Sequence, residues 1–210
     1  MLMGLTGGYC SGKNFVAALL ERRGWAAIDV DRLGHRALEL SRDEVVRRFD
    51  GEARARFGRG LLDEGGALDR KMLGAIVFAD PAALADHESI VHPAMFALVD
   101  DEIGVLREAA HERGDAEARI VVNAAILYKM ALVRACDILV EVRAPLLLRL
   151  RRAKRRDGLG ARRALDRIGS QAALWRLRPR GNPNFFPLRN AGDEARLQRK
   201  LDAILARLRK

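Results

Sequence analysis

Cysteine and long apolar runs are scarce in this 210-residue chain, and each scarcity excludes a class of protein. The only cysteines, Cys10 and Cys136, suggest no disulfide framework and supply no metal cluster. No stretch approaches the ~20 uninterrupted apolar residues that a membrane-spanning helix needs. The first residues lead directly into a glycine-rich loop, which leaves no room for a signal peptide, and we therefore expect a cytoplasmic protein without membrane partners.

Positive charge is concentrated at one end of the chain. The net charge is +10, but residues 1–140 contribute −4, from 18 Lys and Arg against 22 Asp and Glu, and residues 141–210 contribute +14. A basic helix face is usually only solvated, so charge alone does not predict nucleic-acid binding. Hydrophobic residues make up 49% of the chain, which suits a packed α/β domain with insertions.

A glycine-rich loop near the start carries the strongest functional signal. Gly7, Gly12 and Lys13 fit the pattern G-x-x-x-x-G-K, between an apolar segment that predicts a strand and a segment, residues 14–22, that predicts a helix. Unpaired N–H groups and the helix dipole converge there on an anion. A simple strand-to-helix turn is the alternative. We expect a nucleoside triphosphate to bind Gly8, Tyr9, Cys10, Ser11, Gly12, Lys13, Asn14 and Phe15.

Two acids end the second predicted strand, residues 25–31. Asp29 and Asp31 would share one face of this strand, at the sheet edge where ligands of parallel α/β proteins bind. Asp31 could also cap a helix over residues 32–38, and the two roles are compatible.

The region from residue 32 to 113 is too long for a simple crossover between strands. It contains short helical runs, a helix at residues 68–78 with Asp69 as its cap, and a long helix that we expect to begin after His92-Pro93. We therefore predict a substrate-binding insertion or a lid. Further strands are predicted at residues 119–127 and 137–142 and, weakly, at 182–190; basic helices at 145–157 and 161–173; and an amphipathic helix at 193–208.

Taken together, these segments resemble the dephospho-coenzyme A kinase family, and the resemblance spans nearly the whole chain. It rests on the order and spacing of several short motifs: Gly4-Leu5-Thr6-Gly7-Gly8 with Ser11-Gly12-Lys13, Ile28-Asp29-Val30-Asp31, Leu68-Asp69-Arg70, Ile76-Val77-Phe78-Ala79-Asp80-Pro81, His92-Pro93, Ala144-Pro145, Leu150-Arg151-Arg152, Arg156-Asp157-Gly158-Leu159, Arg167-Ile168 with Gln171, and Asn190-Ala191-Gly192.

The resemblance implies a P-loop NTPase three-layer α/β fold with a parallel sheet. Residues 1–31, 114–148 and 181–210 would form the nucleotide-binding core, residues 32–113 a helical insertion that binds CoA, and residues 149–180 a basic helical lid. The implied reaction transfers the γ-phosphoryl group of ATP, with Mg²⁺, to the ribose 3′-hydroxyl of dephospho-CoA, the last step of coenzyme A biosynthesis.

The resemblance also assigns roles to individual residues. Asp31 would act as base toward the 3′-hydroxyl or orient it, and Lys13 would neutralise the transferred phosphoryl group. Arg152 and Arg156, four residues apart on one helix face, would close on the phosphates. Asp29 joins Asp31 in the expected substrate site, with Arg70 and His92 as weaker candidates; a histidine before proline more often packs or caps a helix start.

Three departures from the family pattern lie near the expected metal site and the adenine end of the expected nucleotide site. Asn14 replaces the usual Ser or Thr after the loop lysine, and its amide oxygen could hold Mg²⁺ directly or through water. An acid expected after the third strand is missing, and Arg189-Asn190 replaces an acid–Asn pair. Alternative functions are therefore another small-molecule P-loop kinase, acting on a nucleoside or nucleotide, and a nucleotide-binding regulator or RNA-binding module without kinase activity.

Overall fold

Five parallel strands form one sheet, whose order is β2-β3-β1-β4-β5. The computed structural model describes residues 1–179 and 181–207, so the last part of the predicted core, residues 208–210, lies outside the described residues. The strands are β1 (Leu2–Gly7), β2 (Ala26–Asp29), β3 (Ile120–Asn123), β4 (Ile138–Arg143) and β5 (Phe185–Arg189). Their carboxyl ends meet at one edge, because Leu5 of β1 pairs with Asn123 on one side and Val140 on the other.

The chain divides into two compact units. The first comprises Met1–Val30 and the described residues from Ile103 onward; the second is Asp31–Glu102. The helices are α1 (Lys13–Glu21), α2 (Val30–Leu40), α3 (Arg42–Phe57), α4 (Arg70–Val77), α5 (Pro81–Glu112), α6 (Leu146–Asp157), α7 (Ala161–Ser170), α8 (Ala172–Arg176) and α9 (Glu194–Ala206), with 3-10 turns at Leu127–Lys129 and Ala131–Arg134. In the described part of the chain no helix is long and apolar enough to cross a membrane.

Apolar side chains fill both faces of the sheet, as parallel strands require. On one face, Met3 and Leu5 pack with Leu19 of α1 and Leu201 of α9 in a single buried cluster. On the other face, Gly4 allows a close approach, since a Cβ there would lie 2.8 Å from side-chain carbons of Leu127 and Leu139. The predicted α/β fold with a parallel sheet is confirmed.

The second unit is helical. Asp69 caps α4 as predicted, since its carboxylate accepts a hydrogen bond of 2.9 Å from the backbone N–H of Met72. The expectation of short helical runs interrupted by glycine was wrong for α3, which continues through Gly51 because Val45, Phe49 and Ala53 form a buried stripe along it.

The long helix does not begin after Pro93 but passes through it, as one helix from Pro81 to Glu112. Proline removes one helical hydrogen bond and strains the preceding turn. Val91, Met95 and Val99 are buried on both sides of Pro93, and their burial favours the continuous helix over a break.

Asp31 does not lie on the second strand, so the prediction that it shares a strand face with Asp29 was wrong. β2 ends at Asp29, and α2 begins at Val30 with Asp31 in its first turn. The physical reason is the apolar spacing: Val30, Leu33 and Ala37 are all buried at helical intervals. A carboxylate in the first turn is also favoured by the helix dipole.

Three other boundaries differ from the prediction. The third strand ends at Asn123, and a 3-10 turn follows at Leu127–Lys129. The second basic helix is interrupted at Gln171, which separates α7 from α8. The weak strand predicted within residues 182–190 is a full edge strand, β5, parallel to β4.

Candidate active site

The glycine-rich loop forms a tight arch between β1 and α1. Gly12 has φ of 96°, and Cys10, with φ of 57°, is the only non-glycine residue with positive φ in the described ranges. The Ser11 N–H donates to the Gly8 carbonyl oxygen at 2.9 Å. A Cβ on Gly12 would collide with the Asn190 side-chain amide, so both conformation and space require glycine there.

Two arginines of α6 bind carbonyl oxygens of this loop. Arg149 donates from Nε to the Tyr9 oxygen at 2.7 Å, and Arg152 donates from Nη1 to the Ser11 oxygen at 2.9 Å and the Cys10 oxygen at 3.3 Å. Burial lowers the pKa of both guanidinium groups. α6 therefore holds the loop by charge-assisted hydrogen bonds to its backbone.

Asn190 connects the loop to the segment after β5. Its buried side chain donates from Nδ2 to the Ser11 oxygen at 2.8 Å and accepts from Arg152 Nη2 at 3.2 Å. The same loop residue is thus bound by an arginine of α6 and an amide that follows β5.

Tyr9 lies among charged groups of α6 and α7. Its backbone N–H donates to Gln171 Oε1 at 2.7 Å, and its hydroxyl donates to Asp157. The guanidinium of Arg156 lies 5.3 Å from the Tyr9 ring centroid and pairs with Asp157 through two hydrogen bonds of 2.9 Å. Those hydrogen bonds lower the pKa of Asp157 to about 2, and burial followed by the bond to Asp157 raises the pKa of Tyr9.

Lys13 and Asn14 lie on the β3 side of the loop. Lys13 Nζ donates to Asn14 Oδ1 at 3.1 Å and to Asn123 Oδ1 at 3.2 Å, and Asn123 Nδ2 donates to Asn14 Oδ1 at 3.2 Å. Asn123 is buried at the end of β3, where it pairs in register with Asp29 of β2. The lysine predicted to meet the phosphates is therefore held by two amide oxygens.

These amide oxygens are suitable ligands for Mg²⁺, because this ion prefers oxygen ligands. Mg²⁺ also usually retains several waters when it is bound with substrate phosphates. No group of three or more His, Cys, Asp or Glu residues able to hold a metal occurs in residues 1–179 and 181–207. The ligand set therefore fits an ion held mainly by phosphates and water, with Asn14, an exposed residue, beside the lysine.

A cleft of about 590 Å³ opens beside the loop, within the first unit. Phe15 is partly exposed in it, and Leu197 of α9 supplies an apolar side chain. Its other lining residues are Cys10, Gly12, Asn14, Arg152, Arg155, Arg156, Asn190, Gly192, Asp193 and Glu194. Glycine-rich backbone, cationic side chains and an aromatic ring thus border one space, which suits a nucleotide.

Three of the predicted substrate residues belong to the second unit. Asp31 is the second residue of α2, Arg70 begins α4 and pairs with Glu39 at 2.6 Å, and His92 stacks against Phe96 with ring centroids 5.2 Å apart.

The sequence and the structure were both compared with those of known proteins. The family model described as dephospho-CoA kinase matches residues 1–178. The chain belongs to the dephospho-CoA kinase family. It is accordingly an ATP-dependent phosphotransferase of the P-loop kinase class.

Relatives of this family match over almost their whole length. The dephospho-CoA kinase of Anaeromyxobacter dehalogenans is 36% identical over 99% of this chain and 92% of its own, and that of Treponema pallidum is 34% identical over 98% and 94%. A crystal structure from Thermus thermophilus has a TM-score of 0.76 at 32% identity, covering 99% of this chain and 97% of its own. The dephospho-CoA kinase of Campylobacter jejuni, 20% identical with a TM-score of 0.65, covers 99% and 96% and shares the fold.

Several loop contacts of this dephospho-CoA kinase family member were not predicted. Arg149 was one of six basic residues along α6, and only its spacing of three from Arg152 could have marked it. Asn123 and Asn190 belonged to recognised segments, yet no local pattern shows that their amides reach the loop. Gln171 followed a matched motif and proved to bind the Tyr9 N–H.

Proposed function

We propose that this chain transfers the γ-phosphoryl group of ATP to the ribose 3′-hydroxyl of dephospho-CoA. The observation that carries the proposal is the glycine-rich loop, with its left-handed Gly12 and adjoining cleft, in a chain that matches the family model from residue 1 to 178. Kinases of this kind depend mainly on positioning and charge neutralisation, and these are what the loop and its arginines offer.

Lys13, Arg152 and Arg156 would neutralise the phosphates. Lys13 Nζ already lies beside Asn14 and Asn123, and neutral amide oxygens bind an ammonium group less strongly than phosphate oxygens do. Binding of the nucleotide would therefore exchange these two amide contacts of Lys13 for phosphate oxygens. Arg152 and Arg156 line the nucleotide cleft from α6.

Asn14 and Asn123 would hold Mg²⁺ or its waters once Lys13 has moved. Bound Mg²⁺ would supply charge neutralisation at the phosphates. Asn14 Oδ1 accepts hydrogen bonds from two donors, and loss of the Lys13 bond would leave the oxygen able to accept another contact.

Asp31 would accept the proton of the 3′-hydroxyl or orient that group, with Asp29, Arg70 and His92 in substrate binding. The division of the chain supports a dedicated acceptor domain, because residues 31–102 form a compact helical unit of their own. We propose that the predicted insertion, residues 32–113, binds the CoA moiety, and that residues 149–180 act as the lid. The reaction would take place in the cytoplasm, where ATP is available.

A coupled assay for ADP release tests the function directly. The full chain, with ATP and Mg²⁺, should turn over dephospho-CoA and should leave nucleosides and nucleoside monophosphates unphosphorylated. The Lys13→Ala variant, measured in parallel, should lose both turnover and tight ATP binding. Turnover of a nucleoside or nucleotide without turnover of dephospho-CoA would refute the proposal in favour of another small-molecule kinase.

A further inference from the structure

A second, smaller cavity lies on the β4 side of the phosphate loop. Its volume is about 260 Å³, and its lining residues are Gly8, Ser11, Glu141, Val142, Arg143, Ala144, Arg149, Trp175 and Arg178. None of these residues lines the nucleotide cleft, which takes Cys10 and Gly12 from the same loop. The loop therefore borders two separate spaces.

Positive charge predominates around this cavity. Glu141 is its only acid and is already engaged, since Arg178 donates to it at 2.6 and 2.8 Å and Arg143 at 2.6 Å. Arg149 forms no ion pair with any described residue, and burial lowers the pKa of its guanidinium. Three arginines against one carboxylate leave an excess of two positive charges, which favours an anion.

Two buried polar atoms beside the cavity have no hydrogen-bond partner in the described part of the chain. They are Nη2 of Arg149 and Oγ of Ser11, whose residue is 2% exposed. The Arg149 guanidinium lies directly over Gly8, because a Cβ on that glycine would be 2.6 Å from Nη2. Buried donors are rarely left without a hydrogen-bond partner, so an acceptor in this cavity would satisfy the hydrogen bonding of both groups.

We propose that this cavity is an oxyanion pocket, which binds a phosphate group through Arg149 Nη2 and Ser11 Oγ. Two donors and an excess positive charge suit a tetrahedral anion with several acceptor oxygens. The phosphate group would come either from free inorganic phosphate or from the phosphates of the acceptor. The proposed function, on which this point rests, assigns the γ-phosphoryl group of ATP to the other space, which the loop separates from this one.

Fluorescence of Trp175, which lines the cavity, can report binding. Trp25 is the only other tryptophan, so a Trp25→Phe background makes Trp175 the sole emitter. The full chain is first saturated with a non-hydrolysable β,γ-imido analogue of ATP, which fills the nucleotide cleft including its γ-position. Inorganic phosphate is then titrated at constant ionic strength, with potassium chloride as the reference salt.

We expect a saturable response, with Kd raised at least tenfold by Arg149→Gln and less by Arg149→Lys. Arg151→Gln is the matched control, because Arg151 is an exposed residue of the same helix, and it should leave Kd unchanged. If saturating dephospho-CoA blocks the response, the pocket serves the acceptor; if the response persists, it serves free phosphate. The readout needs no turnover, so it is independent of the proposed reaction.

Three results would overturn the proposal. One is the absence of a saturable response in the analogue complex. Another is a response in the ADP complex alone, which would place the anion at the γ-position. The third is a Kd that Arg149→Gln and Arg149→Lys leave unchanged, which would mean that phosphate binds away from Arg149 and not in this cavity.

Discussion

Replacement of Glu141 by glutamine should destabilise the first unit by about 2–3 kcal/mol. The Glu141 side chain is only 4% exposed and accepts four hydrogen bonds: two from Arg178, one from Arg143 and one, at 2.7 Å, from the Tyr128 hydroxyl. These bonds outweigh the effect of burial and lower the pKa of the carboxyl group, so Glu141 is charged at neutral pH.

The magnitude follows from the geometry. Removing one partner of a fully buried ion pair costs about 3–5 kcal/mol. The side chains of Arg143 and Arg178 are 46% and 33% exposed. Water would therefore partly solvate their charges and reduce the loss of stability. Glutamine keeps one acceptor oxygen but turns an NH₂ group toward guanidinium donors, which removes part of the hydrogen bonding and leaves the shape unchanged.

Urea denaturation followed by Trp175 fluorescence in the Trp25→Phe background measures this effect, because the Arg178 guanidinium lies 5.9 Å from the Trp175 ring centroid. Glu194→Gln is the control in the same unit, since its pair with Arg22 is exposed and should contribute less than about 0.5 kcal/mol. Equal losses in the two variants would refute the assignment of Glu141 as a buried, stabilising charge.

The same variant has a pH signature. A carboxyl group whose folded pKa is lowered stabilises the protein above its unfolded pKa, about 4.3 for glutamate, and this contribution is lost as pH falls through the folded value. The difference in unfolding free energy between wild type and Glu141→Gln should therefore be constant near neutrality and shrink below about pH 4. A difference that grows on acidification would contradict the argument.

Four further substitutions test other parts of the structure. Asp31→Asn should abolish turnover of dephospho-CoA while ATP titrations remain unchanged; full activity would remove Asp31 from the mechanism. Gly12→Ala should weaken nucleotide binding at least tenfold, because φ of 96° strains alanine and its Cβ meets Asn190; unchanged affinity in a nucleotide titration would contradict this. Gly51→Ala, in the middle of α3 with open space around it, should stabilise the second unit by about 0.5–1 kcal/mol in urea denaturation, and a loss would show an unrecognised contact. Asp69→Ala should cost about 1 kcal/mol by the same measurement, through loss of the α4 cap, and no change would mean that water replaces the cap.

Local signals made much of the fold predictable. The loop between β1 and α1 follows from glycine and lysine spacing, and the Asp69 cap follows from one acid before an apolar helix. Boundaries that depend on packing were not predictable. α5 continues through Pro93, and β2 ends at Asp29. Both boundaries depend on which side chains are buried in the folded protein, and no single residue in the sequence indicates this.

The same distinction separates the predicted and the unpredicted parts of the site. The loop residues could be predicted because their chemistry lies within one short segment. The contacts that hold the loop come from residues more than 100 positions away, such as Arg149 and Asn190. A run of arginines on a helix gives no local cue to which guanidinium reaches the loop, since that depends on how α6 packs beside it.

The arginines of α6 have a consequence for the direction of the loop peptides. Carbonyl oxygens of three consecutive residues, Tyr9, Cys10 and Ser11, point toward Arg149 and Arg152. In a trans peptide the N–H of the next residue points opposite to the carbonyl, so the N–H groups of Cys10 and Gly12 point away from α6. The guanidinium groups of α6 thus bind the carbonyl side of the loop and leave these N–H groups on the opposite side, where the proposed phosphates would lie. Any movement of α6 as part of a lid must break these bonds, which couples the position of the predicted lid to the conformation of the loop.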